Sequence, residues 1–230
     1  MMKRKIVFFT GAGISAASGM PTFRGEGGIW NKIDAEKVAT KKAWYCRRYA
    51  DKTERRQAAL DFFNPMRRKV LELRPNRAHE MIACFEEFAE VTVVTQNGDD
   101  YHERAGSTNV IYLHGEALKN CSTLHPYIPI PIDRDNPDIR IGDKAEDGSQ
   151  IRPYVIFFDE TLDRRIWKRA VEATKEADMF VVLQHTEHAP YVVAGAMGNL
   201  LRRNSVAFSK FVGNTEHEGR FVALSAHGNR

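Results

Sequence analysis

Apolar residues gather along this chain in short compact runs separated by stretches with a helical period. Residues 5–10 (KIVFFT), 91–95 (VTVVT), 110–113 (VIYL), 154–158 (YVIFF) and 179–183 (MFVVL) are rich in β-branched and aromatic side chains. Runs of this kind mark strands buried on both faces. Residues 206–212 and 220–224 are further strand candidates. Between the runs, Met81, Ile82, Phe85, Phe88 and Ala89 recur at helical spacing over 77–89, behind Pro75 and a candidate N-cap at Asn76. Ile166, Ala170, Ala173 and Ala177 line one face of a second helix over 163–177, which Asp163 can cap. Strands alternating with helices predict an α/β fold, a parallel sheet with helices on both faces. Ligands of such sheets bind at the carboxyl ends of the strands.

Two stretches break this rhythm. Residues 31–76 look helical and basic, and residues 122–150 carry four of the nine prolines with no clear period. Both read as a smaller helical and loop domain inserted into a sheet domain made of residues 1–30, 77–121 and 151–230. A chain of 230 residues has room for that arrangement.

The formal charge of +4 is concentrated in doublets such as Arg47-Arg48, Arg55-Arg56 and Arg67-Arg68. Such runs ordinarily coat a solvated helical face. No nucleic-acid motif accompanies them, so no specific nucleic-acid partner is expected. The three cysteines, Cys46, Cys84 and Cys121, are too few and too scattered for a disulfide framework, and Cys84 reads as a small core residue of its helix. The basic start is followed by an apolar stretch too short for a secretory signal, and nothing approaches a membrane span of about 18 apolar residues. No membrane partner and a reducing, cytoplasmic location are expected.

The first chemical motif is Gly11-Ala12-Gly13-Ile14-Ser15-Ala16, directly after a strand. It fits the G-x-G-x-x-G/A spacing, in which the glycines allow a tight turn and a close backbone approach to a pyrophosphate. The helix that follows offers unpaired N–H groups to the anion. By itself the spacing also suits an ordinary strand-to-helix turn. The acidic ribose partner expected about 20 residues later is not clear, since Asp34 and Glu36 lie outside an obvious strand.

The motif continues as GAGISAASGMPTFRGEGGIW over residues 11–30. It is followed by Thr95-Gln96-Asn97-Gly98-Asp99 with His102, by Leu113-His114-Gly115, and by Arg152-Pro153 ahead of Phe158-Asp159-Glu160. In this order the blocks resemble the sirtuin family over most of residues 5–215. The resemblance implies a Rossmann-like NAD-binding fold and an NAD-dependent protein-lysine deacylase. In that reaction the acyl group of an acyl-lysine protein or peptide passes to ADP-ribose and nicotinamide leaves. It implies His114 as the base that deprotonates a ribose hydroxyl, a role an imidazole suits near neutral pH. It implies Asn97 and Asp99 as catalytic residues that hold the nicotinamide amide and the ribose, and Gln96 as a ribose ligand. Gly11, Ala12, Gly13, Phe23, Arg24, Thr186 and Asn214 complete the implied cofactor contacts. Asn97 and Asp99, two residues apart at a strand end, can point the same way.

The chain also departs from the family pattern. Of the cysteine pairs that hold zinc in the usual insert, only Cys121 has a counterpart, position 124 is Leu, and 122–150 holds no cysteine. A tetrahedral site needs four ligands, so no metal and no zinc are expected. Gln184-His185-Thr186 replaces a Gly-Thr-Ser and crowds the adenosine half. Asp159 replaces a glycine on the strand that pairs with the substrate backbone, adding bulk and charge there. Gly98 replaces a branched residue and should loosen the nicotinamide pocket. Phe63 and Met66 stand in the register of a Tyr-x-x-Arg pair associated with acidic acyl groups, which favours acetyl or longer apolar ones, while Arg67 one residue on could restore part of that pocket by a register slip. Two rival readings follow from these changes. Asp159 motivates NAD hydrolysis or mono-ADP-ribosyl transfer without a peptide. Gln184 and His185 motivate a catalytically impaired protein that binds NAD or ADP-ribose.

Overall fold

The computed structural model describes residues 3–23, 28–46, 49–183, 205–212 and 220–225. The chain begins with strand β1 (Arg4–Thr10) and the short helix α1 (Ala12–Ala16). A 3-10 turn at Ile29–Asn31 leads into helices α2 (Ala35–Val38), α3 (Lys41–Trp44) and α4 (Tyr49–Glu72). Then come α5 (Arg77–Cys84), β2 (Ala89–Thr95), α6 (Tyr101–Arg104) and β3 (Val110–Tyr112). They are followed by β4 (Gly115–Ser122), β5 (Ile130–Pro131), β6 (Ile151–Val155) and α7 (Arg164–Glu176). The described strands end with β7 (Met179–Leu183), β8 (Ser205–Val212) and β9 (Arg220–Ser225).

Six strands form one sheet in the order β3-β2-β1-β7-β8-β9. The first five run parallel, and β9 returns antiparallel beside β8. β1 lies between β2 and β7, so Val7, Phe8 and Phe9 are all buried. The period of two sends them to opposite faces. Val7 and Phe9 pack with Val94, Phe180 and Val182 against Ala170, Ala177, Ile166 and Trp167 of the α7 region. Phe8 packs with Val91, Val93 and Ile14 against Ala78 and Ile82 of α5. Each large side chain so buried contributes about 1.5–3 kcal/mol. The α/β fold with helices on both faces of a parallel sheet is therefore the observed one.

Both anticipated caps are present. Asp163 accepts the Arg165 N–H at 2.8 Å at the start of α7, and Asn76 accepts the Ala78 N–H at 2.9 Å at the start of α5. The helix expected over 77–89 is shorter than its apolar spacing suggested. It ends at Cys84, because Ala89 is already taken into the ladder opposite Arg4 of β1. Phe88 is consequently 75% exposed, and Cys84 is an exposed residue rather than a core one.

A second, three-stranded sheet has the order β5-β4-β6 and is antiparallel. The run at 154–158 thus belongs partly to β6 of this small sheet and not to the parallel one. Trp44, Leu60, Ile139 and Phe157 form a core between it and the helices of residues 35–72. The basic run on α4 is not wholly a solvated face either. Arg67 is completely buried, with Nη2 donating to Oδ1 of Asn120 at 2.8 Å. Burial pushes its pKa down to about 10, which leaves it charged at neutral pH. Among the described residues no helix is long and apolar enough to cross a membrane.

Candidate active site

The ladder of the parallel sheet sets three loops side by side. Thr10 pairs with Thr95, and Thr95 pairs with Tyr112, so β1, β2 and β3 end level with one another. The chain leaves these ends through Gly11, Gln96 and Leu113. The Gln96 N–H donates to the Thr10 carbonyl at 3.0 Å, and the Leu113 N–H to the Thr95 carbonyl at 2.9 Å. Sheet order reverses at β1, with β2 on one side and β7 on the other. The carboxyl end of such a switch point is where open α/β sheets take their ligands.

Ser15, on α1, joins two of these loops. Its hydroxyl donates to Oδ2 of Asp99 at 2.8 Å and accepts from Nδ2 of Asn97 at 3.0 Å. Nδ2 of Asn97 also donates to the Gly11 carbonyl at 3.1 Å. The direction of each bond is forced. The Asn97 amide nitrogen can only donate, so the single hydroxyl proton of Ser15 goes to the carboxylate. Asn97 and Asp99 are each 5% exposed. Burial raises the Asp99 pKa from 3.8 to about 6, against the opposing effect of the Ser15 hydroxyl and the Tyr101 N–H. Gly11, Ala12 and Gly13 stand at the start of α1, which has no side-chain cap and no acidic residue in its first turn. Its N–H groups therefore face no competing negative charge from the helix itself.

His114 sits just past β3. Its Nδ1 lies 3.1 Å from the Gln96 carbonyl. A carbonyl only accepts, so Nδ1 carries the proton and Nε2 keeps its lone pair. Burial lowers the ring's pKa below the ordinary 6.5, opposed by the bond to Gln96. The imidazole is thus held neutral, in one tautomer, with the basic nitrogen turned away from its anchor. The next residue, Gly115, adopts φ +83°, and a Cβ there would fall 2.2 Å from the Tyr154 carbonyl oxygen. The turn after the histidine therefore admits glycine alone.

Neighbouring groups hold these loops in place. The Thr10 hydroxyl donates to the Thr95 hydroxyl at 2.9 Å, and Nε2 of the buried His102 lies 3.1 Å from Thr10. The Thr95 hydroxyl in turn accepts the Asn97 N–H at 3.1 Å. Tyr112 donates its one proton to the Glu103 carboxylate at 2.5 Å, and its oxygen lies 3.2 Å from the Asp99 carbonyl. Ser15 and Tyr112 carry no role in the sequence reading. Ser15 was discoverable, since it lies four residues after Gly11 within the glycine motif. Tyr112 left no signal beyond its closeness to His114. Gly98 lies against β4. A Cβ there would meet the Ala117 backbone nitrogen at 3.1 Å, a tight contact.

The segment after β6 borders the same region, because the Ile156 N–H donates to the His114 carbonyl at 2.9 Å. Arg152 and Glu160 are paired here at 2.6 and 2.8 Å, both out of solvent. The Arg152 guanidinium also lies 3.9 Å from the Phe157 ring centroid. Asp159 does not project as a free charge. Its carboxylate accepts the Lys41 and Lys42 N–H groups at the start of α3. Phe23 is stacked on Trp30 with centroids 5.5 Å apart, and Trp30 meets Phe158 edge-on at 5.6 Å. Phe23 therefore belongs to an aromatic row and makes no hydrogen bond within the Ser15 cluster. Arg24, Thr186 and Asn214, with Gln184 and His185, lie outside the described residues.

Among the described residues no group of three or more His, Cys, Asp or Glu side chains could hold a metal ion. Cys121 is buried and bonded to the Pro153 carbonyl at 3.6 Å. At the adjoining turn the Ser122 hydroxyl bonds the Asp147 carboxylate and contacts Ser149 at 2.7 Å. It also accepts the Leu124 and His125 N–H groups at 3.0 and 3.3 Å. Hydrogen bonds thus join the two turns of residues 122–125 and 147–149.

A family model described as the Sir2 family matches residues 11–188, more than half of the chain. The chain belongs to the Sir2 family. Its curated Sir2 relatives include an NAD-dependent protein deacylase of Bacteroides thetaiotaomicron, 42% identical over 78% of this chain and 74% of that protein. Another of the same description, from Mycobacterium leprae, is 34% identical over 88% of this chain and 83% of that one. Among solved structures, a Sir2 homologue mutant in complex with ADP-ribose superposes with a TM-score of 0.71 at 30% identity, covering 88% of this chain and 78% of that one. A Sir2 homologue–NAD complex superposes with a TM-score of 0.66 at 30% identity, over 88% of this chain and 76% of that one. The Sir2 fold in this chain thus carries the Ser15–Asn97–Asp99 cluster and the oriented His114 at the carboxyl ends of β1, β2 and β3.

Proposed function

We propose that this chain is an NAD-dependent protein-lysine deacylase acting on acyl-lysine proteins or peptides. The observation that carries the reading is the pairing of a buried amide–carboxylate–hydroxyl cluster with a neutral, single-tautomer imidazole on adjacent strand ends. The donor set fits the cofactor. Asn97 and Asp99 together present an amide and a carboxylate, which suit a carboxamide and ribose hydroxyls. The uncapped first turn of α1 at Gly11, Ala12 and Gly13 suits a pyrophosphate. Bound NAD supplies the ADP-ribosyl acceptor for the acyl group, and nicotinamide is the leaving group.

Within that reaction the residues have separable tasks. Nε2 of His114 accepts the proton of a ribose hydroxyl, and the Gln96 carbonyl stabilises the imidazolium that forms through the Nδ1–H bond. Asn97 and Asp99, held by Ser15, orient the nicotinamide end. Gln96 bonds ribose hydroxyls. Phe23 and Arg24 cover the ribose and phosphates, and Thr186 and Asn214 meet the adenosine half. Residues 31–76 and 122–150 act as the inserted small domain, folding without zinc, with β4 and β6 packed on its helices, and the rest of residues 1–30, 77–121 and 151–230 act as the NAD-binding domain. Phe63 packs between Phe62 and Phe157, and Arg67 bonds Asn120 through Nη2 while its buried Nε and Nη1 have no partner among the described residues. A phenyl ring without a hydroxyl at Phe63 and a thioether at Met66 support acetyl or longer apolar acyl substrates. The cytoplasm suits such chemistry.

The test is an assay of purified protein with NAD and an acetyl-lysine peptide. Nicotinamide and deacetylated peptide should appear in equal amounts, and His114→Ala should abolish both. Equal product from wild type and mutant would remove His114 as the base. Nicotinamide released at the same rate without peptide would instead assign NAD hydrolysis.

A further inference from the structure

β6 is an edge strand of the small sheet, and the chain beyond it runs past His114 through the Ile156 bond to the His114 carbonyl. An unpaired strand edge beside an active-site base is where an extended peptide can add as a further strand. What fixes that edge on its far side is the segment of residues 39–42. The Phe158 N–H donates to the Ala39 carbonyl at 3.0 Å. Asp159 then takes two N–H groups of α3, those of Lys41 and of Lys42, the latter at 3.1 Å. Thr40 takes a third, that of Ala43, at 3.1 Å. The first N–H groups of a helix have no partner within it. In α3 two of them are satisfied from 117 and 118 residues away.

We propose that Asp159 is a positioning residue for the peptide substrate. Its carboxylate caps α3, turns away from the strand edge, and locks that edge to the helical segment in the place where the substrate backbone pairs. The residue that reads in sequence as an obstruction is in this structure a latch. Asp159 itself is exposed and belongs to neither core, so its loss leaves the sheets intact. Asn keeps one acceptor oxygen but turns a donor amide nitrogen towards the second N–H, whereas Ala keeps neither acceptor. The two substitutions therefore grade the loss of the two bonds.

The inference rests on the deacylase reading. The experiment measures KM for an acetyl-lysine peptide and KM for NAD in wild type, Asp159→Ala and Asp159→Asn, with thermal unfolding of each. The loss of a cap corresponds to about a fivefold change in an equilibrium. Asp159→Ala should therefore raise the peptide KM about fivefold, with kcat and the NAD KM within twofold of wild type. Asp159→Asn, which keeps one of the two acceptors, should raise the peptide KM by less than Asp159→Ala does. An unchanged peptide KM in Asp159→Ala, an Asn variant as impaired as the Ala variant, or both KM values rising together would each overturn the latch while leaving the deacylase reading intact. A wild-type protein with no peptide-dependent product would overturn both.

Discussion

Replacing Asp99 by Asn should make the protein more stable and less active at neutral pH. The carboxyl is buried, and its pKa is raised from 3.8 to about 6. The native state therefore binds the proton more tightly than the unfolded chain does. Between about pH 4 and 6 the native state holds more protons, so stability falls as pH rises, and above that window the loss is complete. At about 1.4 kcal/mol per pKa unit, the charged form costs the fold about 3 kcal/mol at pH 7.5. Asn keeps an acceptor for the Ser15 hydroxyl and has no charge to desolvate. Its amide nitrogen would oppose the Tyr101 N–H, now 3.4 Å from Oδ1, at a cost of about 1 kcal/mol. The net expectation at pH 7.5 is a gain of about 2 kcal/mol, or roughly 4–8 °C in Tm. Near pH 4.5 the gain vanishes, because the wild type has by then lost only about 1 kcal/mol, and below about pH 4 the sign reverses. Urea unfolding of both proteins from pH 4 to pH 8 measures the difference directly. A difference that stays constant over that range would refute the reasoning. In parallel, nicotinamide release by the variant should fall by about 100-fold, the usual scale for losing one preorganised charged group.

Two further outcomes follow from the geometry. Gly115→Ala forces a Cβ to 2.2 Å from the Tyr154 carbonyl oxygen at φ +83°. The left-handed conformation alone costs about 1–2 kcal/mol and the β4–β6 junction must also shift, so denaturant unfolding should show a loss above that amount, together with lost activity. Wild-type unfolding and activity in this variant would contradict the turn described after His114. Exhaustive treatment with a chelator should leave the melting curve and the deacylation rate unchanged, with no zinc found by metal analysis. One zinc per chain, or a fall in Tm on chelation, would show that the bonds of Ser122 with Asp147 and Ser149 are not what joins those turns.

Strand positions were readable because the central strands are buried on both faces. β1 and β7 carry continuous apolar runs, and their bounds match the pattern to within one residue. The exceptions share a physical cause. Helix α5 stops at Cys84 although Phe85, Phe88 and Ala89 continue its spacing, because the pairing of Ala89 with Arg4 claims the chain for β2. Arg67 reads as one charge in an exposed run. Its burial depends on Asn120, 53 residues away, and local pattern carries no trace of such a partner. The 154–158 run is apolar enough for either sheet, and only the antiparallel register with residues 115–122 decides between them.

The candidate site divides along the same line. Gly11, Asn97, Asp99 and His114 are legible because each lies where a buried strand ends, and the ladder makes those ends level. What sequence withholds is the state of each group. Asp99 reads as an ordinary carboxylate until burial raises its pKa, and His114 as an ordinary imidazole until the Gln96 carbonyl selects its tautomer. Asp159 reads as a charge on a peptide-binding edge until α3 accounts for its oxygens. In each case a residue type is local information, whereas its protonation and direction come from a partner brought from elsewhere in the chain. The parallel sheet supplies those partners for Asp99 and His114, and the packing of α3 against the segment after β6 supplies them for Asp159. The departures from the family pattern are therefore best judged by where each side chain finds its hydrogen bonds, and at Asp159 the fold has already found partners for the change.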